Sequence, residues 1–139
     1  MPDFPRNRYD SAEFVRLFDA SDVTDDCGET CVMLKPAHDL TDEFAIYFPS
    51  TENKPSADEL SVARILCSHI GELDNLVQES CESEAKRNDG NPKDYALYLA
   101  FAEIDAQDVR LEYYGTYVNT QWSAMFRLCD AGNWIKTNF

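Results

Sequence analysis

The sequence predicts an α+β fold in which an antiparallel sheet packs against one long amphipathic helix. Two patterns predict it. Between residues 56 and 87, apolar side chains recur at alternating spacings of three and four, which is typical of one helix face. Strand-like runs follow at 95–104, 109–118 and 121–128, separated by polar breaks. We therefore expect a β-meander over residues 95–139, N-terminal strands beside it, and the helix (about 56–87) packed on one face of the sheet.

The first third of the chain is predicted to contribute two strands. The runs CVMLK at 31–35 and EFAIYF at 43–48 are strand-like, and a turn region separates them. Before them, FVRLF at 14–18 fits either a short helix, since its three bulky apolar residues share a helix face, or a short strand. The polar stretch at 19–30 predicts a loop. One face of the second strand is predicted to comprise Phe44, Ile46 and Phe48.

The helix has a clear start and a clear end. Ser56 and Glu59 form an S-x-x-E capping box, which satisfies free amide groups at a helix N-terminus. Gly71 lies opposite the apolar stripe, where we expect it to permit a bend without removing a core contact, and Gln78 is expected to point away from the stripe. NDGNP at 88–92 closes the helix. The stripe is predicted to comprise Val62, Ala63, Leu66, Ile70, Leu73, Val77 and Cys81.

A turn at residues 106–107 would join the first two strands of the meander. It puts Glu103 opposite Arg110 on one face, an opposite-charge pair. The other face is apolar in this register. Its predicted pairs are Ile104 with Val109, Ala102 with Leu111, and Ala100 with Tyr113.

A turn at residues 119–120 would join the next two strands, and it gives EYYGTYVNTQW at 112–122 an architectural explanation. Glu112 then opposes Arg127, and a slip of one residue would destroy that agreement because side chains alternate between faces. The predicted apolar pairs are Leu111 with Leu128, Tyr113 with Phe126, Gly115 with Ala124, and Tyr117 with Trp122.

Two features of the meander stay open. The reverse face of the strand at 95–101 is too apolar for open water, which favours either a second covering layer or a partner surface. DAGN at 130–133 leads into a last strand, WIKTNF, through either a two-residue turn or a bulged one. The residues predicted on that reverse face are Tyr95, Leu97, Leu99 and Phe101.

Composition bounds the class of protein. A chain of 139 residues fits a single domain, here 1–139. Its 26 acidic and 12 basic side chains give a formal net charge of −14, which repels nucleic acid and anionic membranes and favours cationic partners. The start MPDFPRNRYD has no apolar stretch of signal-peptide length, and no later run reaches membrane-span length. We expect a cytoplasmic protein whose five scattered cysteines are reduced.

The cysteine and histidine residues do not form a recognisable metal-binding or catalytic motif. Cys27 and Cys31 lack the second closely spaced pair that structural zinc requires, although His38 and Asp39 follow them. His69 is expected to be a core-edge histidine with a satisfied ring nitrogen. Phosphate-binding loops, G-x-S-x-G and H-E-x-x-H are absent from the sequence. The sequence therefore predicts no enzyme, no metal and no cofactor.

The acidic side chains are concentrated in the N-terminal third. Only Lys35 opposes them between residues 19 and 43. Such a segment could receive the lysine and arginine side chains of a partner protein. The predicted partner-binding residues are Asp19, Asp22, Asp25, Asp26, Glu29, Asp39, Asp42 and Glu43.

The stretch VRLEYYGTYVNTQWSAMFRLCDAGNWI at 109–135, which follows an amphipathic helix, resembles small bacterial α+β proteins of the immunity type. The Tyr-Gly-x-x-Val-Asn-Thr-x-Trp run and the Gly-Asn-Trp near the end carry this resemblance. It implies a small, acidic, cytosolic protein that occludes a cognate protein toxin and performs no chemistry. The N-terminal acidic third departs from any such pattern, which leaves the toxin open.

We therefore expect an acidic inhibitor that neutralises a cytosol-active bacterial toxin, such as a nuclease, by stoichiometric binding. It needs no nucleic acid and no membrane, and the sequence does not set its oligomeric state. Two alternatives stay open. One is a small enzyme built on Cys27, His38 and nearby carboxylates. The other is a housekeeping adaptor or chaperone that uses the apolar reverse of the meander, around Leu97 and Leu99.

Overall fold

The chain forms a seven-stranded mixed sheet and three helices within the part that the structure describes. This computed structural model describes residues 6–26, 29–37, 41–49, 55–87, 97–115, 121–129 and 133–138. The helices are α1 (Ser11–Ala20), α2 (Ala57–Ser68) and α3 (Ile70–Arg87). The strands are β1 (Val23–Asp26), β2 (Glu29–Leu34), β3 (Phe44–Tyr47), β4 (Leu97–Asp105), β5 (Asp108–Gly115), β6 (Gln121–Cys129) and β7 (Asn133–Asn138).

The strands lie in the sheet in the order in which they occur in the chain. Neighbouring strands are antiparallel except β3 and β4, which are parallel and are connected through α2 and α3. A parallel pair needs such a crossover because a tight turn cannot bring two strands into the same direction. The predicted α+β class with a mostly antiparallel sheet is confirmed.

The polar stretch at 19–30 was predicted to be a loop, and this prediction is wrong. Residues 23–26 form the edge strand β1, in which Val23 opposes Val32 and Thr24 opposes Cys31. An edge strand as short and charged as this one lacks the hydrophobic alternation that marks internal strands, and its charge protects the edge from aggregation. Cys27 and Gly28 lie outside the described residues.

The ambiguous run at 14–18 belongs to α1. Asp10 caps this helix, because its carboxylate accepts hydrogen bonds from the backbone N–H of Ala12 at 3.0 Å and of Glu13 at 3.4 Å. Phe14 is completely buried and contacts the rings of Tyr9 and Phe44. Of the two alternatives for this run, a short helix or a short strand, the helix is present.

The long helix is interrupted at His69, so it is two helices and not one. The capping box at Ser56 and Glu59 is present. Gly71, where a bend was expected, lies two residues after His69, and a Cβ there would lie 2.7 Å from the carbonyl oxygen of Tyr9, so the N-terminal segment approaches the helix too closely for a side chain. Its N–H also donates to Ser11 Oγ at 3.0 Å. The predicted stripe is buried as expected, whereas Gln78, expected to point away, is buried as well.

The core lies between the helices and one face of the sheet, called here the covered face. The sheet contributes side chains from six of its strands and the helices contribute the predicted stripe and Phe14. Phe44, Ile46 and Phe48 share the covered face as predicted. The largest completely buried sheet side chains include Tyr113, Phe126, Leu34, Leu97 and Leu99.

The β4–β5 pairing follows the predicted register near the turn and departs from it beyond a bulge. Ile104 opposes Val109 as predicted, but an irregularity between Leu99 and Phe101 brings Leu99, not Ala100, opposite Tyr113. The bulge therefore moves Leu97 and Leu99 onto the covered face. Burying a leucine contributes more than burying an alanine, about 1.5–3 kcal/mol for a complete side chain, which favours this arrangement.

The predicted β5–β6 register is wrong by four residues. Leu111 opposes Ala124 and not Leu128, and Arg127 pairs with Asp108 at 2.8 Å and not with Glu112. β5 ends at Gly115 and β6 begins at Gln121. The predicted turn and the pair containing Tyr117 therefore lie outside the described residues. Because side chains alternate with a period of two, an even shift leaves every residue on its predicted face.

β7 pairs with β6 in a register that could not be predicted from the sequence. Leu128 opposes Trp134 and Cys129 opposes Asn133. An irregularity in the β6–β7 ladder lies between Met125 and Phe126, within the strands themselves. Residues 130–132, which connect the two strands, lie outside the described part.

The turn between β4 and β5 gives a first testable prediction. Ala106 has a φ of 55°, in the left-handed region that favours glycine. Ala106→Gly is expected to raise the free energy of unfolding by about 0.5–1 kcal/mol, because relief of the left-handed strain outweighs the added entropy of the unfolded chain. Urea denaturation measures this change. An unchanged or lower stability would mean that Ala106 is not strained.

Candidate protein-binding surface

The face of the sheet opposite the described helices, called here the open face, carries a connected set of aromatic rings. Four partly exposed rings from three adjacent strands form it. We call them the aromatic ladder: Tyr47, Tyr98, Phe101 and Tyr114.

The rings of the ladder touch one another in sequence. The centroids of Tyr47 and Phe101 are 5.7 Å apart with an interplanar angle of 85°, an edge-to-face contact. The Phe101–Tyr114 centroids are 6.5 Å apart and the Tyr98–Tyr114 centroids 6.4 Å. These separations fall within the favourable range for aromatic pairs, so the ladder is held in place before any partner arrives.

The bulge in β4 places two of these rings. Tyr98 and Phe101 are three residues apart, yet the extra residue between Leu99 and Phe101 puts both on the open face. Of the described residues that were predicted on this reverse face, only Phe101 lies there. Leu97 and Leu99 are buried on the covered face. Tyr95 lies outside the described residues, and Tyr98 was missed because no local pattern marks a bulge.

A network of charged groups lies beside the ladder. Glu112 opposes Phe101 in the sheet, and its side chain is only 2% exposed. It accepts hydrogen bonds from Ser123 Oγ at 2.6 Å and Gln121 Nε2 at 2.8 Å. The Arg110 guanidinium bridges two carboxylates, with nitrogens 3.0 Å from Glu112 and 2.5 Å from Glu103. The two hydrogen bonds and the nearby positive charge of Arg110 compensate the cost of burying Glu112.

Several residues of the open face are of types that are common in protein interfaces. Met33, Ala45 and Met125 lie on the same face as the ladder. Tyrosine, phenylalanine and methionine are enriched where proteins bind one another, and methionine adapts its shape to a partner. The faces of such rings can bind cationic as well as apolar side chains.

The structure does not gather the predicted acidic residues into one surface. Asp22, Asp42 and Glu43 are exposed at the end of the sheet where β2 ends and β3 begins, whereas Glu29 is exposed at the opposite end. Asp25 and Asp26 are in β1, and Asp39 lies outside the described residues.

Asp19 is already engaged within the chain. Its two carboxylate oxygens accept hydrogen bonds from Arg64 at 2.9 and 3.0 Å. This hydrogen-bonded pairing lowers the pKa of Asp19. The ion pair is exposed and joins α1 to α2, so Asp19 is less available to a partner than the sequence predicted.

His69, Cys67 and Cys81 are held within the core or at its edge. His69 Nδ1 accepts a hydrogen bond from Trp134 Nε1 at 3.2 Å, as expected for a core-edge histidine with a satisfied nitrogen. Burial raises the pKa of both the Cys67 and Cys81 thiols to about 12, which keeps them protonated. Cys27 and His38 lie outside the described residues.

Two features are absent from the described residues. His, Cys, Asp and Glu side chains nowhere form a group of three or more that could hold a metal ion. Within the same ranges, no helix is both long and apolar enough to cross a membrane.

A buried polar cluster was not foreseen from the sequence. The Arg8 guanidinium makes two hydrogen bonds to the completely buried Asp74, at 2.9 and 3.1 Å, and Tyr113 Oη donates to Asp74 Oδ1 at 2.8 Å. Burial, and then the Asp74 carboxylate, raise the pKa of Tyr113 well above its ordinary value, so it stays a donor. Asp74 falls four residues after Ile70, on the buried helix face, which is the signal that could have revealed it.

A second set of hydrogen bonds fixes the N-terminal segment to the bulge. Tyr9 Oη accepts from the backbone N–H of Leu99 at 2.9 Å and lies 2.7 Å from Thr41 Oγ1. Thr41 Oγ1 donates to the carbonyl oxygen of Leu99 at 3.1 Å. The backbone N–H and C=O of Leu99 therefore both have hydrogen-bond partners that are side chains and not neighbouring strands. These bonds stabilise the bulge, which places Tyr98 and Phe101 on the open face.

Comparison of the chain with protein-family models, with the sequences of curated proteins and with solved structures gives no match.

Proposed function

We propose that this chain is a non-enzymatic inhibitor that binds a cationic protein toxin stoichiometrically, in the manner of an immunity protein, with the open face as its contact surface. The observation that carries the proposal is the aromatic ladder, a preformed set of partly exposed rings. The proposed site of action is the cytoplasm. Inhibition by occlusion needs a preformed surface and no cofactor.

The physical properties of the open face favour a tight contact. Tyr98, Phe101 and Tyr114 are partly exposed and pack against one another, so they lose little side-chain entropy when a partner covers them. Rings in the centre of an interface commonly contribute most of its binding energy. Phe101 contacts two other rings of the ladder and is the expected centre.

The acidic residues have a separate role in this proposal. A net charge of −14 attracts a cationic partner over a distance and raises the association rate, an effect that salt weakens. Exposed carboxylates at the rim change association rate and salt dependence more than they change the lifetime of the complex. Asp22, Glu29, Asp42 and Glu43 are placed for this role, and Asp25, Asp26 and Asp39 remain predictions.

Bacterial growth tests the function. The product of the neighbouring gene is expressed with and without this chain, and we expect the gene product to stop growth and the chain to restore it. Phe101→Ser is expected to reduce protection at least tenfold, measured as the inducer concentration that cells tolerate. Val23→Ser removes an exposed apolar side chain from the edge strand β1, opposite the covered-face residue Val32, and is the matched control, which should protect fully.

Three outcomes would contradict the proposal. One is a neighbouring gene product without effect on growth, and another is full protection by a folded Phe101→Ser variant. The third is loss of protection in a folded His38→Ala variant, which would favour the enzyme alternative. Circular dichroism of each purified variant separates loss of fold from loss of binding.

A further inference from the structure

Helix α3 binds a basic segment of its own chain along one flank. Residues 6–11 run antiparallel to the helix. Arg6 donates to Glu82 at 2.7 Å, and Arg8 bonds Asp74 as described above. Between them, the backbone N–H of Asn7 donates to Asn75 Oδ1 at 2.8 Å. Carboxylate and amide side chains of α3 therefore already recognise a non-helical basic segment.

The opposite flank of α3 forms a groove with the start of β6. Its volume is about 360 Å³, which is within the range of ligand-binding clefts. Its helix residues recur at spacings of three and four and so form one row. We call it the α3 groove, lined by Leu76, Glu79, Ser80, Ser83 and Trp122, with the Glu84–Arg87 ion pair at the C-terminal end of the helix.

The groove presents an apolar surface to solvent. Leu76 is 43% exposed, whereas its helix neighbours Leu73 and Val77 are buried in the core. A single exposed leucine is ordinary on a protein surface. This leucine, however, lines a concave site together with a tryptophan, and an apolar side chain placed there would remove both from water.

Trp122 adds an unsatisfied hydrogen-bond donor. Its indole N–H is buried and has no acceptor among the described residues, whereas the indole N–H of Trp134 donates to His69. A buried donor without a partner is unfavourable, and most such groups in folded proteins are satisfied. A small rotation of the Trp122 ring would let a carbonyl in the groove accept this bond, and such side-chain changes are common on binding.

We propose that the α3 groove binds an extended basic segment of a partner protein. An aliphatic side chain of that segment covers Leu76, a backbone carbonyl accepts from Trp122 Nε1, and a lysine or arginine pairs with Glu79. The chemistry repeats what residues 6–11 do on the other flank of the same helix. The site is independent of the open face, because the two lie on opposite sides of the sheet.

Nuclear magnetic resonance of the indole N–H groups tests this proposal on the complete chain. The probes are three acetylated tripeptide amides, Arg-Leu-Arg, Arg-Ser-Arg and Glu-Leu-Glu. We expect Arg-Leu-Arg to shift the Trp122 indole signal downfield, with binding at least fivefold tighter than that of Arg-Ser-Arg. Glu-Leu-Glu should leave the signal unchanged. Trp122→Phe identifies the signal by its loss.

Variants link the shift to the groove. Leu76→Ser and Glu79→Gln should each weaken Arg-Leu-Arg binding at least fivefold, and Phe101→Ser, on the open face, should leave it unchanged. Absence of a shift at millimolar Arg-Leu-Arg would overturn the proposal. Equal shifts with Glu-Leu-Glu, or an undiminished response in Leu76→Ser, would do so as well.

Discussion

Asp74→Ala is expected to lower the free energy of unfolding by about 3–5 kcal/mol, because it leaves the Arg8 guanidinium without its partner in a buried position. The Asp74 side chain is completely buried and that of Arg8 is 9% exposed. Tyr113 would lose its acceptor at the same time. Chemical denaturation at neutral pH measures the difference from the parent protein.

Two further variants separate burial from pairing. Asp19→Ala removes an ion pair of nearly the same geometry that is exposed, so it should change stability far less. The double variant Arg8→Met with Asp74→Leu should recover most of the lost stability, because no charge is then left unpaired. Equal effects of Asp74→Ala and Asp19→Ala would mean that the Arg8–Asp74 pair is not buried.

Leu99→Ser is expected to lower the free energy of unfolding by about 3–5 kcal/mol, since it puts a small polar side chain into a packed core. Phe101→Ser, two residues along the same strand, should cost less than about 2 kcal/mol because Phe101 is already partly exposed on the open face. Thermal and urea denaturation of the pair measure the contrast. The contrast follows from the bulge between Leu99 and Phe101.

The opposite ranking would contradict the account of the sheet. A strand without the bulge puts Leu99 and Phe101 on the same face, and the two substitutions would then have similar effects. A Leu99→Ser variant as stable as the parent would place Leu99 at the surface, where the alternative adaptor function requires it.

Periodicity was the part of the sequence that predicted structure well. The stripe from Val62 to Cys81 is buried as expected, and the Ser56–Glu59 capping box begins the helix. The faces of β5 and β6 were also correct. Each of these depends on a repeat of two or of three and four residues, which local sequence displays directly.

Register and irregularity could not be predicted in the same way. A shift of four residues in the β5–β6 pairing keeps every side chain on its face, so the apolar pattern permits both registers, and a misplaced Glu112–Arg127 pair supported the wrong one. The bulge depends on Tyr9 and Thr41, which are distant in sequence from Leu99. Local patterns contain no information about such contacts.

The candidate site was predicted only in outline. The sequence predicted an apolar reverse face that included Phe101. Because of the bulge, Tyr98 lies on that face, whereas Leu97 and Leu99 lie on the covered face. The acidic residues were predicted to form one surface. Asp22 and Glu29, however, lie at opposite ends of the β1–β2 pair. Proximity along the chain was therefore a poor guide to proximity on the surface.

Isothermal titration calorimetry of this chain with the purified product of the neighbouring gene tests the open face most directly. We expect a one-to-one complex, and the dissociation constant should rise about thirtyfold or more in Phe101→Ser, as for an aromatic residue central to an interface. Val23→Ser should retain the parent affinity. A dissociation constant that Phe101→Ser leaves unchanged would show that the open face is not the contact surface.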